Sequence, residues 1–189
     1  MIDALLAEFG GRSALTYEAL PVGIVILRLF GAALLCAVIG FERESRDHAA
    51  GLRTNMMIGL AAASYAQIAL ALVTAEVSVP PGGEDGMTER VQVDPLRLVE
   101  AVTGGVAFLA AGMIVFAQGR VRGLSTGAAM WLSAAAGLAA GLGLWLVALL
   151  SAIGGTAILA GVRALEKALG VKGKRTFDDD GKGDRPDLG

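Results

Sequence analysis

Chemistry has few places to sit in this chain. The densest is Gly40-Phe41-Glu42-Arg43-Glu44-Ser45-Arg46, and Glu42 to Asp47 holds five charged residues in six. Glu42 and Arg46 stand four apart, so one further helical turn would pair them on one face. Gly51-Leu52-Arg53-Thr54 follows shortly after. Thr54 stands where a hydroxyl can accept from the free N–H groups that open a helix. The second feature is Arg28, the one charge well inside an apolar run. A central arginine costs at least about 2.5–3.5 kcal/mol on insertion scales, so such a residue has a partner or a task. Three outcomes are open: snorkelling toward the nearer headgroups, pairing with Glu100 at a similar depth, or direct contact with a substrate.

Other patterns lead nowhere. Asp178-Asp179-Asp180-Gly181 lacks the alternating ligands and closing Glu of a calcium loop. The glycines from Gly137 to Gly143 follow no strand and lie in an apolar run, so they form no dinucleotide loop. His48 has no second ligand-type neighbour in pattern, and Cys36 alone makes neither an intrachain disulfide nor a metal site. No nucleophile–base set, paired metal ligands or phosphate loop occurs. We therefore expect no enzyme, no cofactor and no bound metal. The net charge of −2 points to no nucleic-acid partner.

What positions these residues is a set of membrane spans. Of 189 residues, 54% are hydrophobic, above the roughly 45–50% of soluble domains. The excess lies in charge-free runs: Thr54–Ala75, Ala101–Gly119, and 40 residues from Gly123 to Val162. A bilayer span needs about 20 apolar residues, so the last run is two spans or one very long helix, and the distribution of basic residues favours two. Buried helices of a soluble domain are shorter than these runs. The acids Asp3, Glu8 and Glu18 make the first twenty residues unlike a secretory signal.

The expected architecture is an all-α integral membrane protein of about five transmembrane helices, over residues 20–41, 54–75, 98–118, 124–140 and 144–165. Residues 1–20 read as a lead-in, 20–169 as the membrane domain, and 170–189 as a disordered charged tail. Pro80-Pro81-Gly82-Gly83 cannot continue a helix, so residues 76–96 are a loop. Basic residues set the orientation. One side carries Arg43, Arg46, Arg53, Arg120, Arg122, Arg163, Lys167, Lys172, Lys174, Arg175, Lys182 and Arg185; the other carries Arg12, Arg90 and Arg97. This bias predicts an outside N-terminus and a cytoplasmic C-terminus.

Helix four has a distinct composition. Thirteen of the eighteen residues from Leu124 to Gly141 are Gly, Ala, Ser or Thr. Small residues permit the close backbone approach that drives helix association in lipid. Gly123/Gly127 and Gly137/Gly141 have the G-x-x-x-G spacing. Helix four should be buried on most faces, by packing within the chain or partly along a homodimer seam.

Taken in order, GFERE, AGLRT, Asp94-Pro95 with Arg97, GGVAFLAAGMI, GRVRGLSTG, Met130-Trp131 and AAAGLAAGLG resemble the MgtC/SapB family of bacterial inner-membrane proteins. The likeness covers roughly residues 22 to 165. Ala107 and Ala110 stand where the family often has glycine. Family members associated with virulence add a soluble ACT-like C-terminal domain, whereas a short polar tail follows Gly170 here. The resemblance is thus to the membrane domain.

It implies functional positions at Arg28, Glu42, Arg43, Glu44, Gly51, Leu52, Arg53, Thr54, Asp94, Arg97, Gly123, Thr126 and Trp131. It implies a location in the inner membrane and a role as an accessory or regulatory factor in magnesium limitation and in ion and membrane-potential homeostasis. That role would act through contacts with other inner-membrane proteins such as ATP synthase. A small transporter or channel for Mg²⁺ or an anion is the other function considered. Mutual ion pairs among Glu42, Arg43, Glu44 and Arg53 are expected to fix the cytoplasmic face.

Overall fold

The computed structural model describes residues 21–77, 95–117 and 120–169. Among them are five helices: α1 Val22–Glu44, α2 Leu52–Val77, α3 Pro95–Met113, α4 Leu124–Gly141 and α5 Trp145–Ala168. A two-stranded antiparallel ribbon, β1 Val115–Ala117 and β2 Arg120–Arg122, joins α3 to α4. Asp94, the N-terminal lead-in, most of the second loop and the charged tail lie outside the described residues.

The chain is an all-α multi-pass membrane protein. Four helices (α1, α2, α3 and α5) are long and apolar enough to cross a bilayer. The fifth, α4, has 18 residues, about 27 Å of helix. It is built mostly from small residues, and it touches each of the other four helices. Position and composition have one cause. A helix enclosed by helices needs little side-chain bulk, and a helix facing lipid needs much.

Alanine dominates the interior, at 14 of the 22 buried hydrophobic residues among those described. Ala62 and Ala66 of α2, Val102 and Val106 of α3, and Met130, Ala134 and Leu138 of α4 form one cluster. Ala32, Ala63, Ala139, Ala140 and Ala148 form another. Large side chains point outward: Phe30, Leu34, Phe108, Leu146, Leu150 and Ile158 are all more than half exposed. In water such a surface would aggregate, but against lipid it is the expected arrangement.

The glycine spacings in α4 serve packing within the chain. A Cβ at Gly141 would lie 2.6 Å from Ala63 Cα, and one at Gly137 would lie 2.6 Å from Gly59 Cα. Both glycines therefore seat α4 directly on the α2 backbone. Gly127 faces α3, with Ala110 Cβ 3.2 Å from where its Cβ would be.

Two expectations about the chain's path need correction. Helix three was expected to run to Gln118, followed by a basic turn. It stops at Met113, and Val115–Ala117 pairs with Arg120–Arg122 in the ribbon, with Phe116 opposite Val121. Val115, Phe116 and Val121 are β-branched or aromatic, which suits strand better than helix. Gly123 closes the ribbon with φ +84°, and a Cβ there would overlap the Met113 carbonyl oxygen. Helix two was expected to open at Thr54. It opens at Leu52, whose N–H donates to Glu44 Oε2 at 3.0 Å. Thr54 is an exposed residue inside the first turn rather than a cap.

Candidate functional site along the central helix

Six polar side chains are buried among the described residues: Arg28, Arg43, Asn55, Gln67, Thr126 and Ser133. They converge at three levels on α4, at Thr126, Ser133 and Gly141. These positions are spaced by seven and eight residues, about two helical turns each, so they follow one stripe of α4.

The first level is where α4 begins. Arg43 lies in the last turn of α1 and is 1% exposed. Its Nε donates to Ala50 O at 3.2 Å, Nη1 to Ser125 O at 3.2 Å, and Nη2 to Thr126 Oγ1 at 2.6 Å. One guanidinium therefore ties the end of α1, the 45–51 loop and the start of α4. The rest of the charged motif frames it. Glu42 pairs with Arg46 at 2.8 Å, as their spacing predicts. Glu44 caps α2 through Leu52, and Gly51 leaves room for it, since any Cβ there would overlap the Glu44 carboxylate. Gly40 brings α1 against α2, with Leu52 Cα 2.7 Å from where a Cβ would sit. The pair set by the spacing of four is Glu42–Arg46, which is not one of the mutual pairs expected among Glu42, Arg43, Glu44 and Arg53. The bonds named for Arg43 and Glu44 run to backbone groups and to Thr126. Arg53 points outward and is exposed.

The second level is mid-helix. Asn55 is fully buried in the first turn of α2. Its Nδ2 donates to Ala50 O at 3.0 Å and to Gly51 O at 2.8 Å, and its Oδ1 accepts from Ser133 Oγ at 2.8 Å. Cys36 Sγ of α1 donates to Ser133 O at 3.2 Å. Ser133 thus joins α1, α2 and α4.

The third level is the end of α4. The last carbonyls of a helix have no partner within it. Here Gly143 takes φ +78°. Leu144 N donates to Ala139 O at 2.8 Å and Gly143 N to Ala140 O at 3.0 Å. This is a Schellman turn, and it leaves the Gly141 carbonyl for other donors. Arg28 Nη1 reaches it at 3.4 Å, and Gln67 Nε2 also donates to it. Arg28 is fully buried, so it does not snorkel. Glu100, considered as its partner, is an exposed residue of α3.

Among the other positions singled out in the sequence, Gly123 and Thr126 belong to the first level. Leu52 is half-buried beside it, while Arg97 and Trp131 are exposed away from the stripe. Sequence reasoning missed Asn55, Gln67 and Ser133. A signal existed for two of them, because an amide in a charge-free membrane run is seldom left without a partner. Ser133 is hidden among thirteen small residues.

The order of the charged motif, the glycine-permitted α1–α2 contact and the small-residue central helix suits comparison with known families. The MgtC family model matches residues 29–168. The chain belongs to the MgtC family. It is 35% identical over 112 residues to YhiD of Escherichia coli K12, a protein named for a proposed role as magnesium transporter; the match covers 59% of this chain and 48% of that protein. It is 37% identical over 118 residues to the protein MgtC of Brucella abortus, covering 62% of this chain and 42% of that one. With MgtC of Salmonella typhimurium it shares 35% over 112 residues, covering 59% and 41%. The matched region is thus less than half of each curated relative. No solved structure matches the chain.

Proposed function

We propose that this MgtC-family chain is an inner-membrane accessory factor that supports growth under magnesium limitation by contacting another membrane protein. The contact face would be the end of the bundle carrying the charged motif, on the cytoplasmic side according to the distribution of basic residues. One observation carries the reading. Within a short motif the residues divide into buried builders (Arg43, Gly51 and Asn55) and an outward residue, Arg53, on the first turn of α2. A fixed frame presenting exposed cations, Arg53 and the Glu42-paired Arg46, suits docking better than turnover. ATP synthase, a partner implied by the family resemblance, is a candidate of the right kind.

The test is a strain deleted for this gene and complemented in low-magnesium medium. Arg53→Ala should accumulate like the parent and fail to restore growth. Full restoration by a normally accumulating variant would end this reading.

A second reading, transport of a small ion, is favoured by a different observation. Arg28 and Gln67 meet at the carbonyl where α4 breaks into α5. A buried charge inside a bundle marks an ion path in many membrane proteins. Liposomes loaded with the folded protein, under an imposed gradient and potential, separate the two. Mg²⁺ flux above empty liposomes supports transport, and flux that survives Arg28→Ala removes that residue from the path.

A further inference from the structure

We propose that the β1–β2 ribbon is an interfacial anchor, lying in the headgroup layer and favouring acidic phospholipid. The ribbon is two-stranded, and among the described residues neither strand pairs with a third. Its outer edges therefore present free N–H and C=O groups, which the hydrocarbon of a bilayer does not tolerate. Its side chains are equally unsuited to bulk water. Phe116 is 72% exposed and its cross-strand partner Val121 is 47% exposed, with Ile114 and Leu124 exposed at the base. Apolar side chains on a backbone that needs hydrogen bonds belong at the boundary between the two media.

The depth agrees. The ribbon starts where α3 ends, after 19 helical residues, or about 28 Å of helix, close to the thickness of the hydrocarbon core. Gly123 pinches its base shut against Met113. Arg43 joins Ser125 and Thr126 to the α1–α2 loop, so the ribbon lies at the same end as the charged motif.

Charge selects the lipid. β2 carries Arg120 and Arg122, and the charged motif at the same end adds Arg43, Arg46 and Arg53 against Glu42, Glu44 and Asp47. Ribbon and motif together carry an excess of two positive charges, which complements acidic headgroups. A protein strand added to a ribbon edge would need neither the exposed Phe116–Val121 face nor the arginines, so lipid is the occupant that uses both.

The full chain with Phe116→Cys, labelled with a nitroxide, tests this. Cys36 is fully buried, which restricts labelling to the new thiol. In vesicles of phosphatidylcholine with increasing phosphatidylglycerol, the label should respond to lipid-soluble oxygen more than to an aqueous nickel chelate. Its mobility should fall as phosphatidylglycerol rises. Arg122→Gln should raise the phosphatidylglycerol needed roughly fivefold, the factor expected for one basic residue near such a surface. Three results would each overturn the proposal: chelate access equal to that of a water-exposed control, exclusion of both oxygen and chelate as in a protein contact, or no dependence on acidic lipid. Val121→Cys, the cross-strand partner, serves as the reporter should the Phe116 variant disturb the ribbon.

Discussion

Helix α1 holds two fully buried arginines, fifteen residues apart, that grip opposite ends of α4. Arg28 reaches the C-terminal end, and its charge meets the partial negative charge of the helix terminus, which favours a cation there. Arg43 reaches the N-terminal end of α4, where the terminus is partially positive. Two features offset this disfavoured placement. Arg43 also lies in the last turn of α1, whose terminal carbonyls attract a cation, and it donates to three acceptors on two chain segments. The same side chain therefore does two kinds of work. At the end away from the motif, the outer end in the proposed orientation, it completes a helix terminus that Gln67 also serves. At the motif end it holds together pieces that lack another side chain reaching all of them in the described structure.

The largest expected effect follows from that difference. Arg43→Ala removes three hydrogen bonds from a charged donor at once, to Ala50 O (which keeps Asn55 as a donor), to Ser125 O and to Thr126. A hydrogen bond to a charged group is worth about 1.5–3 kcal/mol, so we expect about 3 kcal/mol or more of lost stability and sharply reduced accumulation. Arg43→Lys should rescue only part, because an ammonium lacks the planar fork that serves separate acceptors. Thermal unfolding in detergent checks both. If Arg43→Ala melted like the parent, the motif end would not be the lock described here.

Next in size is Gly141→Ala. A Cβ at Gly141 meets Ala63 Cα at 2.6 Å and Ala66 Cβ at 2.8 Å, both parts of α2 that cannot swing aside. Overpacking of this kind costs about 1–3 kcal/mol. Gly104→Ala is the control on the lipid-facing helix. Nothing lies within 4 Å of its Cβ position, and helix propensity alone would make the change neutral or favourable by about 0.5–1 kcal/mol. Equal melting temperatures for the two variants would deny that α4 is enclosed and α3 open.

Much of this was legible in the sequence, and what was missed has a physical pattern. Charge-free runs set the number and approximate place of the helices because lipid forbids charge over a fixed thickness. The abundance of Gly, Ala, Ser and Thr pointed to the burial of α4 because small residues let helix backbones approach closely. The Glu42–Arg46 pair followed from a spacing of four. The ribbon was illegible because Val115 to Ala117 is as apolar as the α3 residues before it. The β-branched and aromatic residues Val115, Phe116 and Val121 hinted at strand, but the break itself shows only in the backbone at Gly123. The inner seam was only half visible. Arg28 and Arg43 drew notice as charges, but their acceptors are backbone carbonyls, which carry no sequence signature. Ser133 became meaningful only when α1 and α2 were placed on either side of it.

The smallest expected effect sharpens the comparison most, because it separates charge from shape at the outer end. Arg28→Met removes the cation but keeps much of the side chain's bulk, and the Gly141 carbonyl keeps Gln67 as donor. The loss should be about 1 kcal/mol, in the range of a charge at a helix terminus. Arg28→Lys keeps the charge at the negative end of α4 and should lose less than half of that. Removing Gln67 as well, in Arg28→Met with Gln67→Leu, strips the carbonyl of both donors. The double variant should then fall by more than the sum of the singles, since sharing one acceptor couples the two residues. Strict additivity in thermal unfolding would mean that Arg28 and Gln67 act separately, and that the outer end has no junction comparable with the one Arg43 builds.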